Sequence, residues 1–93
     1  MTYRLLISKK ALKFINGLPE KSQRIVRDTI TILYENPYPD KGGDKEKLNL
    51  SGYELYRMHI GRIFTVFYRI FENEVRILDI MTIEKAHKIY GRL

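Results

Sequence analysis

The chain predicts an α+β fold: a small antiparallel sheet in the order β-α-α-β-β-β, a short C-terminal helix, and an N-terminal helical hairpin packed on one sheet face. Three observations carry that expectation. Apolar stripes at helical spacing fill the first third of the chain. Three β-forming runs follow one another from Tyr53 to Met81. A length of 93 residues leaves room for one modest core, so hairpin and sheet must bury their apolar faces on each other as a single domain, 1–93.

Residues 2–7 alternate Tyr3, Leu5 and Ile7 with Thr2, Arg4 and Leu6, which reads as a strand. Ser8 stands where a helix N-cap belongs, and Ala11, Leu12 and Ile15 form a short apolar stripe that Gly17 closes as a C′ residue. Pro19 starts a second helix in its first turn, where a missing N–H costs nothing. Ile25, Val26, Thr29, Ile30 and Leu33 make its buried face, and Asn36-Pro37 ends it. Residues 36–52 hold two prolines, three glycines and many charges, and read as an ordered surface loop.

Residues 53–60 alternate, with Tyr53, Leu55, Arg57 and His59 on one face and Tyr56, Met58 and Ile60 on the other. Gly61 marks a turn. A dense strand follows over 63–71, then a tight polar connection at Glu72-Asn73-Glu74, then a strand over 75–81. The tail supports a short helix around 84–90. Successive strands with short turns form a meander, and the first strand must join its sheet.

Seventeen Lys and Arg against 11 Asp and Glu give a net charge of +6, which favours an anionic partner such as nucleic acid. Cysteine is absent, which excludes a disulfide framework, thiolate metal sites and a Cys nucleophile. No apolar run approaches the roughly 18 residues of a membrane span, and the N-terminus is interrupted too soon by Lys9 and Lys10 to serve as a signal peptide. A cytoplasmic chain without membrane partners is expected. Two histidines without a clustered carboxylate argue against a metal site, and no phosphate-binding loop or nucleophile elbow is present.

Between Leu55 and Phe71 stand Arg57, His59, Arg62 and Arg69, and no acid. The tail adds Lys85, His87, Lys88 and Arg92 against Glu84. With Tyr53, Tyr56, Tyr68 and Tyr90 among them, these cations suit RNA: charges hold phosphates and rings stack on unpaired bases. By the strand pattern alone Arg69 and Arg76 read first as the solvated face of a half-buried sheet, whereas Arg57 with His59 reads equally as solvated face or as functional pair. The chemistry this set permits is phosphodiester cleavage without a metal, in which cations stabilise charge on phosphate and a His, Lys or Tyr moves protons.

The order and spacing of Tyr3-Arg4-Leu5-Leu6-Ile7-Ser8-Lys9-Lys10-Ala11-Leu12-Lys13, the Leu18-Pro19 junction, the Lys47-Leu48 to Gly52 stretch, Leu55-Tyr56-Arg57-Met58-His59-Ile60-Gly61-Arg62, Tyr68-Arg69-Ile70 and the tail with Tyr90 resemble the RelE/ParE toxin superfamily, closest to its RelE branch. That resemblance covers nearly the whole chain. It implies the toxin of a type II toxin–antitoxin pair: an endoribonuclease that cuts mRNA in the ribosomal A site by 2′-hydroxyl attack, with no metal or other cofactor. It also implies a RelB-like antitoxin that wraps the toxin and carries any contact with operator DNA.

The same resemblance implies the site residues. Arg57 and His59 match the family's basic pair on its second strand. Arg62 is matched to the arginine after the turn glycine, displaced by two residues, an even shift that keeps the strand face. Tyr90 matches the terminal-region tyrosine. Glu84 stands near the place of the family's C-terminal arginine, so Lys85, His87 or Lys88 must substitute. Arg57, Arg62 and Lys85 are then expected to hold the scissile phosphate, His59 to shuttle a proton, and Tyr90 to stack on a base or relay a proton. Lys45, Lys47, Arg69 and Lys88 are expected to hold RNA. Two other readings share the fold: a ParE-like toxin that acts on DNA gyrase, and a weakly catalytic homologue that serves mainly as an antitoxin-binding module.

Overall fold

The computed structural model describes residues 2–50 and 52–90. Ser51 of the long connection and Arg92 of the basic tail lie outside the described residues. The elements are β1 (Arg4–Ile7), α1 (Lys9–Asn16), α2 (Glu20–Ile30), α3 (Ile32–Glu35), β2 (Lys45–Leu50), β3 (Tyr53–Ile60), β4 (Phe64–Phe71), β5 (Glu74–Thr82) and α4 (Ile83–Tyr90). The strands form one sheet in the order β1-β5-β4-β3-β2. β2 to β5 are an antiparallel meander, and β1 joins it by pairing parallel to β5.

Ser8 begins α1 because its backbone is extended and its Oγ accepts from the Ala11 N–H at 3.0 Å. The same hydroxyl donates to the Leu78 carbonyl at 2.7 Å, tying the helix to β5. Ser8→Ala removes both bonds and should cost about 1–2 kcal/mol. In a domain this small each kcal/mol lowers the thermal midpoint by about 4–8 °C. Thermal unfolding followed by circular dichroism measures the shift, and an unchanged midpoint would deny the cap its role. Gly17 ends α1 with φ −85°, so it does not use the left-handed conformation expected of a C′ glycine. Pro19 stands at the N-cap of α2, one position ahead of the helix.

The hairpin buries Ala11, Ile15, Val26, Ile30 and Leu33 against Tyr56, Met58, Ile60, Phe64, Val66, Tyr68, Val75, Ile77 and Ile80 of the sheet. Strict alternation in β5 cannot place both Ile77 and Ile80 on that face. A bulge resolves it: Phe67 pairs with Asp79 while Tyr68 pairs with Ile77, leaving Leu78 as the extra residue. A smaller cluster of Leu48, Leu55, Phe67, Met81 and Ala86 lies on the other face, under α4. Helices therefore pack on both sheet faces, the hairpin over the larger cluster and α4 over the smaller.

One expectation needs correction. The 36–52 segment is not all loop: its second part is β2, paired with β3 from Lys45↔Met58 to Leu50↔Tyr53. Its charged composition hid it, because an edge strand paired on one side carries polar side chains and buries little. Residues 36–44 do form an ordered loop. The Asp40 side chain accepts from the Gly42 N–H at 3.0 Å, and the Pro37 carbonyl accepts from the buried Tyr68 hydroxyl at 2.7 Å.

Candidate functional site

The alternation of β3 turns Arg57 and His59 away from the hairpin, and β4 turns Thr65, Phe67, Arg69 and Phe71 to the same side. Register then assembles the site: Arg57 stands opposite Phe67 on one flank and Glu46 on the other, and His59 opposite Thr65. α4 lies over this end of the face. Its Ala86 is buried against Phe67 and Met81, and its Tyr90 ring sits 4.7 Å from the Phe67 ring.

Arg57 is buried to 8% exposure and ion-paired with Glu46, its Nε donating to Oε2 at 3.1 Å. Such a pair fixes the plane of the guanidinium while Glu46, half exposed, stays hydrated. The His59 N–H of the main chain donates to the Asp44 carbonyl at 3.0 Å, which pins the strand where β2 begins. Partial burial holds the His59 imidazole below the usual histidine range, and the Arg57 charge adds to that effect. Glu46 opposes it, and His87 of α4 is near enough to depress it further. The imidazole is consequently neutral at neutral pH and able to accept a proton. Beneath α4, Thr65 is 1% exposed and its Oγ1 lacks a hydrogen-bond partner among the described residues.

Not every expected site residue gathers here. Arg62 is not on β4: it sits in the hairpin turn with φ +62°, exposed at the tip, so the argument from an even strand shift does not apply. A short turn that must reverse the chain within Gly61–Ile63 takes up both positions as left-handed residues. Lys85 lies on a different seam, in a shallow cavity with Lys10, Lys13 and Phe14 of α1. Lys88 projects from α4 and pairs with Glu84 at 3.8 Å. Lys45 and Lys47 alternate to the hairpin side of β2, opposite the Arg57 face. The Lys45 ammonium is buried between the Asn36 carbonyl (2.8 Å) and Asp40 (3.2 Å), where it fastens the loop. Lys47 pairs with Glu54 at 3.0 Å.

Glu46, Thr65 and Phe67 were not among the expected site residues. Reading Lys45–Leu50 as a strand would have revealed Glu46, since its alternation places an acid beside Arg57. Among the described residues, no group of three His, Asp or Glu could hold a metal ion, and no helix is long and apolar enough to cross a membrane. The arrangement supplies a fixed cation, a neutral imidazole and a phenol on one sheet face beside an aromatic floor.

Comparison with known proteins bears on the family and the fold. The family model described as the ParE toxin of the type II toxin–antitoxin system parDE matches residues 5–90. A chain of the archaeal RelE–RelB complex from Pyrococcus horikoshii OT3 is 30% identical, with a TM-score of 0.72 over 88% of this chain and 96% of that one. The fold is also that of a chain in the E. coli DinJ–YafQ toxin–antitoxin complex (14% identity, TM-score 0.70, 96% and 97% covered). It is shared by the YoeB dimer of Staphylococcus aureus (17% identity, TM-score 0.66, 85% and 94% covered). No curated protein matches the chain.

Proposed function

The chain belongs to the ParE toxin family of type II toxin–antitoxin systems, within the RelE/ParE superfamily, and we propose that it is a metal-independent endoribonuclease that cuts mRNA in the ribosomal A site. The observation that supports this reading is the convergence of Arg57, neutral His59 and Tyr90 on one sheet face. His59 takes the proton of the RNA 2′-hydroxyl as its oxygen bonds to the adjacent phosphorus. Arg57 stabilises the negative charge that builds on the phosphoryl oxygens. The bond from phosphorus to the 5′ oxygen breaks, and that oxygen takes a proton from the Tyr90 hydroxyl. The products are a 2′,3′-cyclic phosphate and a free 5′-hydroxyl.

A base must be neutral to act. The depressed His59 pKa keeps it neutral through pH 7 and places the loss of activity on the acid side, below about pH 6.5. Cleavage by the purified toxin on programmed ribosomes should be flat near neutrality and fall as the pH drops beneath that value. An acid limb at or above pH 7, or one unchanged in His59→Ala, would remove His59 from the role.

The partner reading follows from the company the fold keeps. Chains of RelE–RelB complexes from Pyrococcus horikoshii OT3 and Methanococcus jannaschii share it, which supports a RelB-like antitoxin as the binding partner. A second reading, inhibition of DNA gyrase, is favoured by the ParE description of the matching family model. Induced expression separates the two: cuts within translated codons indicate the RNase, and arrest with DNA damage but intact mRNA indicates the gyrase toxin.

A further inference from the structure

We infer that the part of the outer sheet face left bare by α4 is a stacking track for unpaired bases of the RNA strand leaving the Arg57–His59 centre, with Arg69 as its middle rung. The inference rests on RNA being the ligand of that centre.

α4 packs its Ala86 on Leu55, Phe67 and Met81. Beyond it the face presents Tyr53, Arg69, Phe71 and Arg76. Tyr53 is 45% exposed, and Arg69 and Phe71 are half-buried. The Arg69 guanidinium carbon lies 5.1 Å from the ring centre of Tyr53 and 5.1 Å from that of Phe71. The Arg76 guanidinium lies 4.3 Å over the same Phe71 ring. Arg76 also pairs with Glu74 at 2.8 Å, whereas Arg69 has no carboxylate partner among the described residues. Among the described residues it is the Tyr53 and Phe71 rings that hold this half-buried cation.

Rings and planar cations in alternation are the surface on which unpaired bases stack, because every base has a π-face and a guanidinium plane accepts one. The rungs are also continuous with the site. Phe67, Arg69 and Phe71 follow one another on one face of β4, spaced about 6.6 Å apart by the strand rise. Phe67 begins the row beside Tyr90 and opposite Arg57. Phe67 itself is buried under α4, so a strand whose phosphate sits at Arg57 passes over the exposed Tyr90 ring before it reaches Arg69. Arg4, in register with Glu74 on β1, adds a cation at the far end.

The test is fluorescence anisotropy of the 93-residue chain with an unstructured ribo-oligonucleotide of about ten nucleotides, within the span of a small single-strand site. The strand is 2′-O-methylated throughout, so 2′-hydroxyl attack is blocked and binding alone is read. An abasic strand with the same number of phosphates serves as the comparison. Arg69→Lys keeps the charge and loses the plane. It should weaken binding of the intact strand by about 5- to 100-fold, with an unchanged salt dependence, and leave binding of the abasic strand as in the parent. Phe71→Leu should weaken the intact strand in the same way.

Equal affinity of Arg69→Lys and the parent for the intact strand would overturn the inference. So would equal affinity of the parent for intact and abasic strands. Loss in Arg69→Lys of binding to an acidic antitoxin segment, with RNA binding unchanged, would assign the strip to a protein partner and overturn it too. The outcome is separable from the RNase reading. That reading fails if induced toxin makes no mRNA cuts, whatever the oligonucleotide shows; the track fails on the anisotropy alone, even if the cuts are found.

Discussion

Arg57→Ala is expected to lose at least about 10²-fold in mRNA cleavage and to abolish growth arrest. The register fixes Arg57 beside Phe67, and Glu46 sets the plane of its guanidinium. A donor already oriented toward developing charge needs no reorganisation during reaction, and removal of one such donor typically costs 10²–10³ in rate. Truncating this buried side chain also costs packing, so cleavage is compared between chains that circular dichroism shows to be folded. Glu46, freed of its partner, is half exposed and remains hydrated. Arg57→Lys tests the geometry: it keeps the charge but gives up the planar fork, and should recover only part of the activity. The measurement is cleavage on programmed ribosomes alongside circular dichroism. Parent-like cleavage by a folded Arg57→Ala chain would remove Arg57 from the reaction.

Tyr68→Ala should produce the largest loss of stability. Tyr68 is fully buried at the centre of the sheet, stacked on Tyr56 with ring centres 5.6 Å apart. Truncating a buried aromatic costs about 3–5 kcal/mol. The Pro37 carbonyl also loses its 2.7 Å donor, which adds about 1–3 kcal/mol. A domain of this length holds roughly 5–14 kcal/mol in all, so most of its margin disappears. Tyr68→Phe isolates the hydroxyl and should cost about 1–3 kcal/mol by removing one tie of the 36–44 loop to the sheet, while Lys45 keeps the others. Denaturant unfolding measures both. A Tyr68→Ala midpoint close to the parent would contradict the placement of this residue in the core. Burial also raises the Tyr68 phenol well above the ordinary tyrosine range, so it stays protonated as a donor to Pro37.

Local patterns made much of this fold legible. Ser8 announced its helix because an N-cap is a property of one residue and its next turn. The faces of β3 could be read because alternation needs no knowledge of neighbours. What failed to show in the sequence depended on neighbours. Lys45 and Lys47 looked like free cations until β2 was paired, and the pairing put them on the hairpin side with Asp40, Asn36 and Glu54. Glu46 was silent for the same reason. The bulge at Leu78 follows from the need to bury both Ile77 and Ile80, a constraint visible only once the sheet is assembled. Arg62 was misplaced because the length of a turn, not the strand's period, decides where β4 begins. Arg57 and His59 share the face expected of them because they lie two apart on one regular strand.

The most direct test of the proposed activity is a map of mRNA 5′ ends during tightly induced expression of the parent, Arg57→Ala and His59→Ala chains. Cuts inside translated codons, bearing 5′-hydroxyl ends, are expected in the parent and should disappear in both variants. Growth arrest in the parent without such cuts would contradict the proposed activity.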